Sequence, residues 1–265
     1  MLVAAALLSA GAGAGAQARA TAVIEQPAVA PAPWRPDVSA AARFARGRRG
    51  RIAFSVRTPT RAWHWQANRQ FPSASVLKAM LMVAYLNGSS VRGRRLRRAE
   101  RALLSPMIRR SANDPASRLI GIVGSDGLKR LARRAGMRRF VAVTGIWGTS
   151  RITARDQARF LGRIDRLMPR RHRAYAMRLL ETIVPSQRWG IAQVRPRGWR
   201  LYFKGGWGSG SGAVDNQVAL LTRGRQRVSV AILTRRSASH EYARRTLRGI
   251  ARRLLRGLPR ADVVP

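Results

Sequence analysis

The sequence predicts a mixed α/β (α+β) domain in which a five-stranded antiparallel sheet is combined with an all-helical lobe. Five segments have the apolar patterning of short strands, and they fall into two groups, at residues 51–56, 62–66, 201–205, 214–222 and 227–234. The long stretch between the two groups shows helical periodicity instead. The sheet must therefore be assembled from the two ends of the domain, and the helical stretch must form a separate lobe.

Two predicted helices flank this sheet. Residues 38–46 form a short helix ahead of the first hairpin, which turns at Thr58 and Pro59. Residues 241–258 form a strongly basic amphipathic helix at the other end of the domain. The pattern thus places one terminal helix at each end of the sheet-forming segments.

Helical patterns fill most of the lobe, from residue 73 to about 136 and from residue 153 to about 189. At the start of the second run, Thr153 and Asp156 fit a capping box, in which each side chain satisfies a backbone N–H of the first turn. We therefore expect a structural role for Asp156.

The first 37 residues differ in composition from the rest of the chain. Residues 1–20 carry no charge before Arg19, and small residues surround the candidate cleavage sites Ala18 and Ala20, which predicts a signal peptide truncated at its start. Their Gly and Ala content is too high for a stable membrane span. Residues 21–37 are rich in Pro and Ala and predict a linker. The folded domain is then residues 38–265, secreted or bound to the cell wall.

The formal net charge of +41 predicts attraction to polyanions, with an anionic cell-wall polymer as the first candidate partner. Nucleic acid is an unlikely partner, because no recognisable nucleic-acid-binding motif accompanies the charge. The arginines are spread along the whole chain, so a coding bias that covers solvated faces with arginine is the alternative explanation. A monomer is expected.

Cysteine is absent, which excludes disulfides, a thiolate nucleophile and Cys-based zinc sites. The three histidines, His64, His172 and His240, lack metal-ligand spacing. We therefore expect neither a metal nor another cofactor.

The most informative segment is residues 71–82, where apolar residues at helical spacing predict a buried helix starting near residue 73 or 74. Ser75 and Lys78 would lie on one face of that helix. Only three of the 52 basic residues are lysines, and arginine cannot act as a general base. A lysine beside Ser75 in so arginine-rich a chain points to a serine nucleophile whose proton is taken by Lys78. For that role, burial or a nearby positive charge must lower the lysine pKa.

Two later motifs carry polar groups of the kind that such chemistry needs. Ser111 and Asn113 lie in a predicted turn, where a hydroxyl can relay a proton and a carboxamide can hold a substrate amide. Lys204 ends a predicted strand and is followed by Gly206 and Trp207, so that a cation stands beside an open strand edge. Taken singly, each motif also fits a polar turn or a hairpin.

In this order, the three motifs resemble those of the class A β-lactamases and the penicillin-binding serine D,D-peptidases. The resemblance covers about residues 38–258. Residues 187–191, Gln-Arg-Trp-Gly-Ile, are similar to a segment of the actinobacterial secreted β-lactamase-like serine hydrolases. The resemblance implies a β-lactamase/transpeptidase-like fold with the active site between two lobes. It also implies a small-molecule β-lactam or a peptidoglycan peptide as the substrate.

The resemblance implies a catalytic role for three residues. Ser75 would be the nucleophile that a β-lactam or a D-Ala-D-Ala-type peptide acylates, and Lys78 would be its base. Ser111 would pass the proton to the leaving nitrogen. The protein would then be a serine hydrolase that works through an acyl-enzyme.

The same resemblance assigns substrate contacts to four residues. Asn113 would hold the substrate amide and Lys204 would face its carboxylate. Gly206 would leave the strand edge open, and the backbone N–H groups of Trp207 and Ser75 would form the oxyanion hole.

Two departures from the family pattern are visible. Gly205 stands where the family usually has Thr or Ser, which removes a hydroxyl contact to the substrate carboxylate. The connection from Gly136 to Thr153 is too short for an omega loop of the usual length, and no Glu occurs between Glu100 and Glu181. Deacylation is therefore expected to be slow.

These departures leave the outcome of the acyl-enzyme open. The chain can hydrolyse β-lactams, trim peptidoglycan peptides or stay acylated. The alternative is a catalytically weak binding protein on this fold, held to an anionic cell-wall polymer by its basic surface.

Overall fold

The computed structural model describes residues 34–208 and 212–259. The predicted signal peptide and most of the predicted linker lie outside these residues. Trp34, which falls within the predicted linker, contacts the domain: its indole N–H donates to the Arg256 carbonyl at 2.8 Å, and its ring meets Trp63 edge-on. The described part of the domain thus begins before residue 38.

Seven strands occur in the described part of the chain. They are β1 (Arg51–Arg57), β2 (Ala62–Trp65), β3 (Phe71–Pro72), β4 (Arg151–Ile152), β5 (Arg200–Gly208), β6 (Val214–Arg223) and β7 (Gln226–Arg235). Five of them form one antiparallel sheet in the order β2-β1-β7-β6-β5, and β3 pairs with β4 in a separate ladder. Because β1 pairs with β7, the sheet joins the two ends of the domain, and the predicted five-stranded antiparallel sheet is confirmed.

Eight α-helices accompany the strands in the described residues. They are α1 (Val38–Arg46), α2 (Leu77–Leu86), α3 (Ser89–Arg92), α4 (Arg98–Arg109), α5 (Asn113–Arg134), α6 (Ala154–Gly162), α7 (Arg170–Glu181) and α8 (His240–Leu254). The bounds of α1 match the prediction. By contrast, α8 ends four residues earlier than residue 258, where the periodicity predicted its end.

The strands β6 and β7 are buried at successive positions, which requires cover on both faces of the sheet. The helix α6 packs on one face, where the Ser229 hydroxyl of β7 donates to the Ala158 carbonyl at 2.7 Å. The helices α1 and α8 pack against each other, and Gly249 approaches the Phe44 ring so closely that a Cβ would lie 2.4 Å from it. The sheet is thus sandwiched between helices.

The helix α2 forms the centre of the helical lobe. All ten of its residues are buried, as expected for a helix that is apolar on every side. It is preceded by a 3₁₀ turn at Ala74–Val76. The predicted start near residue 73 or 74 is therefore right in position, but the first turn that holds Ser75 is 3₁₀ and not α.

The chain breaks between α4 and α5 at Ser111 and Ala112, as the turn signals predicted. Pro106 lies in the last turn of α4, and its carbonyl accepts from the backbone N–H of Ala112 at 3.1 Å. Ser111 has a φ of 60°, in the left-handed region that few non-glycine residues adopt. This turn points the Ser111 side chain back towards α2 and β5.

Only half of the predicted capping box is present. The Thr153 hydroxyl accepts from the Asp156 N–H at 3.1 Å, but the Asp156 carboxylate does not return to Thr153. It accepts instead from the backbone N–H groups of Arg138 and Arg139, at 3.1 and 2.8 Å. Asp156 therefore ties α6 to the chain that follows α5.

No helix in the described residues is both long enough and apolar enough to cross a membrane.

Candidate active site

A cleft of about 510 Å³ opens at the N-terminal end of α2. Its lining comes from four separate parts of the chain: Ala74, Ser75, Asn113, Ser117, Gly145, Ile146, Trp147, Gly148 and Trp207. The fold thus brings the predicted nucleophile, the first turns of α5 and the end of β5 to one cavity. Among these nine residues none carries a carboxylate.

Ser75 is held in place by the segment that precedes it. The Ser73 N–H donates to the Ser150 carbonyl at 2.7 Å, and the side-chain amide of Asn216 donates to the Pro72 carbonyl at 2.8 Å. Ala74 then turns the chain with a φ of 44°. Because these two hydrogen bonds fix residues 72 and 73, the turn that holds Ser75 is rigidly supported. Ser75 itself is 9% exposed.

The strand β5 passes directly beside Ser75. A Cβ placed on Gly206 would lie 2.7 Å from the Ser75 nitrogen and 2.6 Å from the Val76 nitrogen, closer than real Cβ atoms come. Only glycine allows this approach. The arrangement places the backbone of Trp207 next to that of Ser75, where the resemblance predicts the oxyanion hole.

Lys78 is fully buried and reaches the turn before α5. Its Nζ donates to the Ser111 carbonyl and to Asn113 Oδ1, the latter at 2.8 Å, and lies 3.4 Å from the Ser111 hydroxyl. A neutral amine has two N–H groups and one lone pair. If the two N–H groups donate to the Ser111 carbonyl and to Asn113 Oδ1, the lone pair remains to accept a proton, with the Ser111 hydroxyl as the third neighbour of the amine.

Within the described residues, no hydrogen bond joins the Ser75 hydroxyl to the Lys78 amine. The Lys78 amine instead lies 5.0 Å from the centre of the Trp147 ring. Transfer of the Ser75 proton therefore needs a small rotation of one side chain or a bridging water.

Burial sets the protonation of both lysines. It lowers the pKa of Lys78 to about 7, because no carboxylate accompanies the buried amine. The pKa of Lys204 falls well below its ordinary value, first because Lys204 is fully buried and second because of the charge of Lys78. Of the two causes that the sequence analysis allowed, burial acts on the pKa of Lys78, whereas the repulsion between the two lysines lowers the pKa of Lys204.

Lys204 and Ser111 complete a chain of polar groups. Lys204 Nζ donates to the Ser111 hydroxyl at 2.8 Å and to the Gly205 carbonyl at 2.7 Å. Ser111 is thereby in contact with both buried lysines. Of the predicted site residues, Ser75, Asn113 and Trp207 line the cleft. Lys78, Ser111 and Lys204 form a hydrogen-bonded group behind it, and Gly206 lies against the backbone of Ser75.

Trp147 is a residue of the site that sequence reasoning missed. It stands on the connection between α5 and β4, and its indole N–H donates to the Ser117 hydroxyl at 3.2 Å. It lines the cleft together with Ile146 and Trp207. No motif marked this segment, because its place beside the cleft depends on the length of the connection.

A second missed group lies behind Trp207. The His240 ring stacks on the Trp207 ring with centroids 5.7 Å apart, and Trp189 meets both rings edge-on. His240 Nδ1 lies 2.5 Å from the buried carboxylate of Asp215, and this contact fixes the orientation of the imidazole. Burial raises the pKa of Asp215 to about 6, while the hydrogen bond to His240 acts in the opposite direction.

Comparison with known proteins agrees with the fold. A model of the Beta-lactamase enzyme family matches residues 97–258, a range that includes Ser111, Asn113 and Lys204 but begins after Ser75. No curated protein matches the chain.

Solved structures share the fold. A β-lactamase from Sphaerobacter thermophilus superposes with a TM-score of 0.69 at 21% identity, over 82% of this chain and 96% of its own. A class A β-lactamase from Mycobacterium abscessus gives 0.70 at 17% identity, over 83% and 98% of the two chains. A β-lactamase from Xanthomonas campestris gives 0.70 at 17%, over 81% and 94%.

At such identities the solved structures establish the fold, while the family match spans more than half of the chain. The chain therefore belongs to the β-lactamase enzyme family.

Proposed function

We propose that the protein is a secreted serine hydrolase that forms an acyl-enzyme at Ser75 with β-lactams or with D-Ala-D-Ala-type peptides. Its acyl-enzyme is hydrolysed slowly. The observation that carries this proposal is the environment of Lys78, a buried amine without a carboxylate partner in the described residues, whose pKa is lowered to about 7 beside the cleft that holds Ser75. Such an amine is neutral often enough at neutral pH to accept a proton.

The arrangement supports the following acylation step. The Ser75 oxygen bonds to the carbonyl carbon of the substrate amide while its proton passes to Lys78. The oxyanion that forms lies between the backbone N–H groups of Ser75 and Trp207. The C–N bond then breaks, and the leaving nitrogen takes the proton from Lys78 through the Ser111 hydroxyl, which lies 3.4 Å from that amine.

Hydrolysis of the resulting ester needs a water molecule that gives up a proton as it attacks. The cleft offers no carboxylate for this purpose among the residues that line it. Asp156 is the acidic residue nearest in sequence to the connection between α5 and β4, which supplies part of the cleft lining. It is buried, and its carboxylate already accepts from two backbone N–H groups. This supports slow deacylation, since general-base assistance is worth about 10²–10⁴-fold in rate.

The test is the intact mass of the protein after incubation with benzylpenicillin, followed over time. The expected result is a mass increase equal to the whole ligand, located on Ser75, that persists for many minutes. The Ser75→Ala variant should show no increase. Equal labelling of that variant would remove Ser75 from the reaction, and an unlabelled wild type would favour a binding protein on this fold.

A further inference from the structure

A row of arginines runs along the solvent side of α6, away from the cleft residues. Arg155, Arg159 and Arg163, the last being the C-cap residue, follow one another at intervals of four. This spacing places them on one face of the helix, where like charges repel each other. These three residues are referred to below as the arginine stripe.

Further arginines surround the stripe. Arg138 and Arg139 line a cavity of about 250 Å³ together with Arg155 and Arg159. On the other side, Arg57 at the end of β1 and Arg163 line a second cavity, of about 300 Å³. The stripe therefore forms part of the lining of two concave sites and is not spread over a flat surface.

The stripe lacks the counter-charges that other arginines of this chain have. Arg94, Arg200 and Arg227 are each paired with a carboxylate, at 2.6, 2.8 and 2.7 Å respectively. In the described residues no carboxylate forms an ion pair with any arginine of the stripe or with Arg57. The Asp156 carboxylate, which lies within the first cavity, is used by two backbone N–H groups.

One donor of the stripe is buried without a partner. The Arg155 Nε atom makes no hydrogen bond within the described part of the chain. A buried N–H left unpaired costs stability, and such groups in folded proteins usually find a partner or a ligand. Its position therefore indicates an acceptor that the polypeptide does not supply.

The neighbouring groups respond to the concentrated charge. The pKa of His64 falls to about 4, first through burial and then through Arg155, Arg57 and Arg159. The pKa of Arg57 is also lowered, by burial and then by Arg159, Arg163 and Arg155. An anion bound between these groups would relieve the repulsion.

We propose that the arginine stripe binds successive phosphate groups of an extended phosphodiester polymer. Guanidinium groups match phosphate oxygens in pairs, and the helical rise separates neighbouring members of the stripe by about 6 Å. A second anionic group can then engage the next arginine along the helix. This site is independent of the chemistry at Ser75.

The surroundings favour a polymer without aromatic bases. Along β2, side chains alternate between the two faces of the sheet, and His64 lies on the face of α6. Trp65 lies on the opposite face, where it stacks on Phe54 with centroids 5.6 Å apart. Among the described residues that line the two cavities, none is aromatic. Single-stranded nucleic acids stack on aromatic side chains, so a glycerol phosphate polymer of the cell-wall kind fits the stripe better.

The proposal is tested by the binding of the full chain to poly(glycerol phosphate) over a series of NaCl concentrations. The variant Arg155→Gln/Arg163→Gln should bind at least about tenfold more weakly than wild type, and its salt slope should fall by about two. The matched control, Arg118→Gln/Arg130→Gln, removes the same charge from exposed positions on α5 and should lose less than about twofold. Penicillin labelling should be equal in all three proteins.

A second measurement guards against misfolding of the stripe variant. Without phosphate its melting temperature should equal or exceed that of wild type, because repulsion is removed. Inorganic phosphate should stabilise wild type more than NaCl of equal ionic strength does, and this excess should vanish in the stripe variant.

Equal losses of polymer binding in the two double variants, or no excess stabilisation by phosphate, would overturn the site. Tighter binding of a DNA oligonucleotide with the same number of phosphates would overturn the polymer class.

Discussion

Lys78 is the residue whose protonation decides whether Ser75 can react. Burial lowers its pKa to about 7, so the amine is mostly neutral above that pH and mostly charged below it. The rate of penicillin labelling should therefore rise with pH, about tenfold per unit below 7, and level off above 7. Labelling rates measured from pH 5 to 9 check this, and a rate independent of pH would exclude Lys78 as the base.

The substitution Lys78→Arg separates the base from its charge. Arginine keeps the positive charge but stays protonated, so labelling should fall by about 10²–10⁴-fold, nearly as far as in Lys78→Ala. The exposed Lys129 offers a matched control, since Lys129→Arg should label at the wild-type rate. Near wild-type labelling of Lys78→Arg would mean that the lysine acts through its charge alone.

Gly206 controls the approach of β5 to Ser75. In Gly206→Ala the new methyl group would meet two backbone nitrogens at 2.6 and 2.7 Å, and neither can move without shifting the Ser75 turn. Labelling should fall by at least about 10²-fold, because the oxyanion donors lose their alignment. The neighbouring Gly205→Ala is the control: its methyl group would meet Trp189 at an ordinary 3.6 Å. Equal effects of the two substitutions would contradict this account.

At this scale the sequence predicted a site at Ser75, Lys78, Ser111, Asn113 and Lys204, because each belongs to a short motif of polar residues in a recognisable setting. It missed Asp215 and His240, which are far from each other in the sequence and meet only through the packing of α8 beside β6. They belong to the surroundings of the cleft only because His240 stacks on Trp207, and no spacing in the sequence reveals that contact.

At the scale of the elements, the connection between α5 and α6 decides which side chains line one part of the cleft. It supplies Ile146 and Trp147 to the lining and no carboxylate.

Asp156→Asn should therefore leave the deacylation rate within about twofold of wild type, since the water is not activated there. The same substitution should lower the free energy of unfolding by about 1–3 kcal/mol, because two backbone N–H groups lose a charged acceptor. Mass spectrometry and thermal unfolding measure the two effects, and a large loss of deacylation alone would assign Asp156 to catalysis.

The contact between β6 and α8 carries a pH-dependent contribution to stability. Burial raises the pKa of Asp215 to about 6, above the value of about 3.9 in an unfolded chain. The protonated form is thus favoured in the fold, and its contribution is complete below about pH 4 and lost as the pH rises through 6. Asp215→Asn cannot ionise, so its free energy of unfolding relative to wild type should rise between pH 4 and 6 by an amount on the order of 1–2 kcal/mol, and its relative melting temperature should rise with it. A relative melting temperature that stays level or falls over this range would show that the carboxylate is stabilised as an anion.

Element positions followed from periodicity because both kinds of pattern are strong here. The bounds of the five strands of the large sheet and of α1 agree closely with the predicted bounds. The chain between the two groups of strands is mainly helical, as predicted. The 3₁₀ turn at Ala74–Val76 and the early end of α8 did not follow, since both depend on tertiary contacts. The first is held by Asn216 of β6 and by the Ser150 carbonyl just before β4. Just after the end of α8, the Arg256 carbonyl accepts from the Trp34 indole.

In the whole molecule, the split grouping of the strand patterns predicted that one sheet joins both ends of the domain, whereas the pairing of β1 with β7 and its register were not predicted. The family could be inferred from three motifs, but the family model begins after Ser75, so the nucleophile rests on geometry. The arginine-rich composition, by contrast, gave no location for any anion site, because composition does not tell which guanidinium groups lack a carboxylate partner.

The net charge of +41 should make the stability of the whole molecule depend on salt. With 52 basic and 11 acidic residues, most close charge pairs are repulsive, and the compact state brings them nearer than the unfolded chain does. Salt screens exposed charges strongly, since the Debye length falls from about 30 Å at 0.01 M to about 3 Å at 1 M, while the half-buried pair of Arg227 and Asp165 is screened less. The melting temperature should therefore rise by several degrees between 0.01 and 0.5 M NaCl, and sucrose of equal osmolality should reproduce only a small part of that rise. A melting temperature that fell with salt would mean that the few ion pairs outweigh the repulsion.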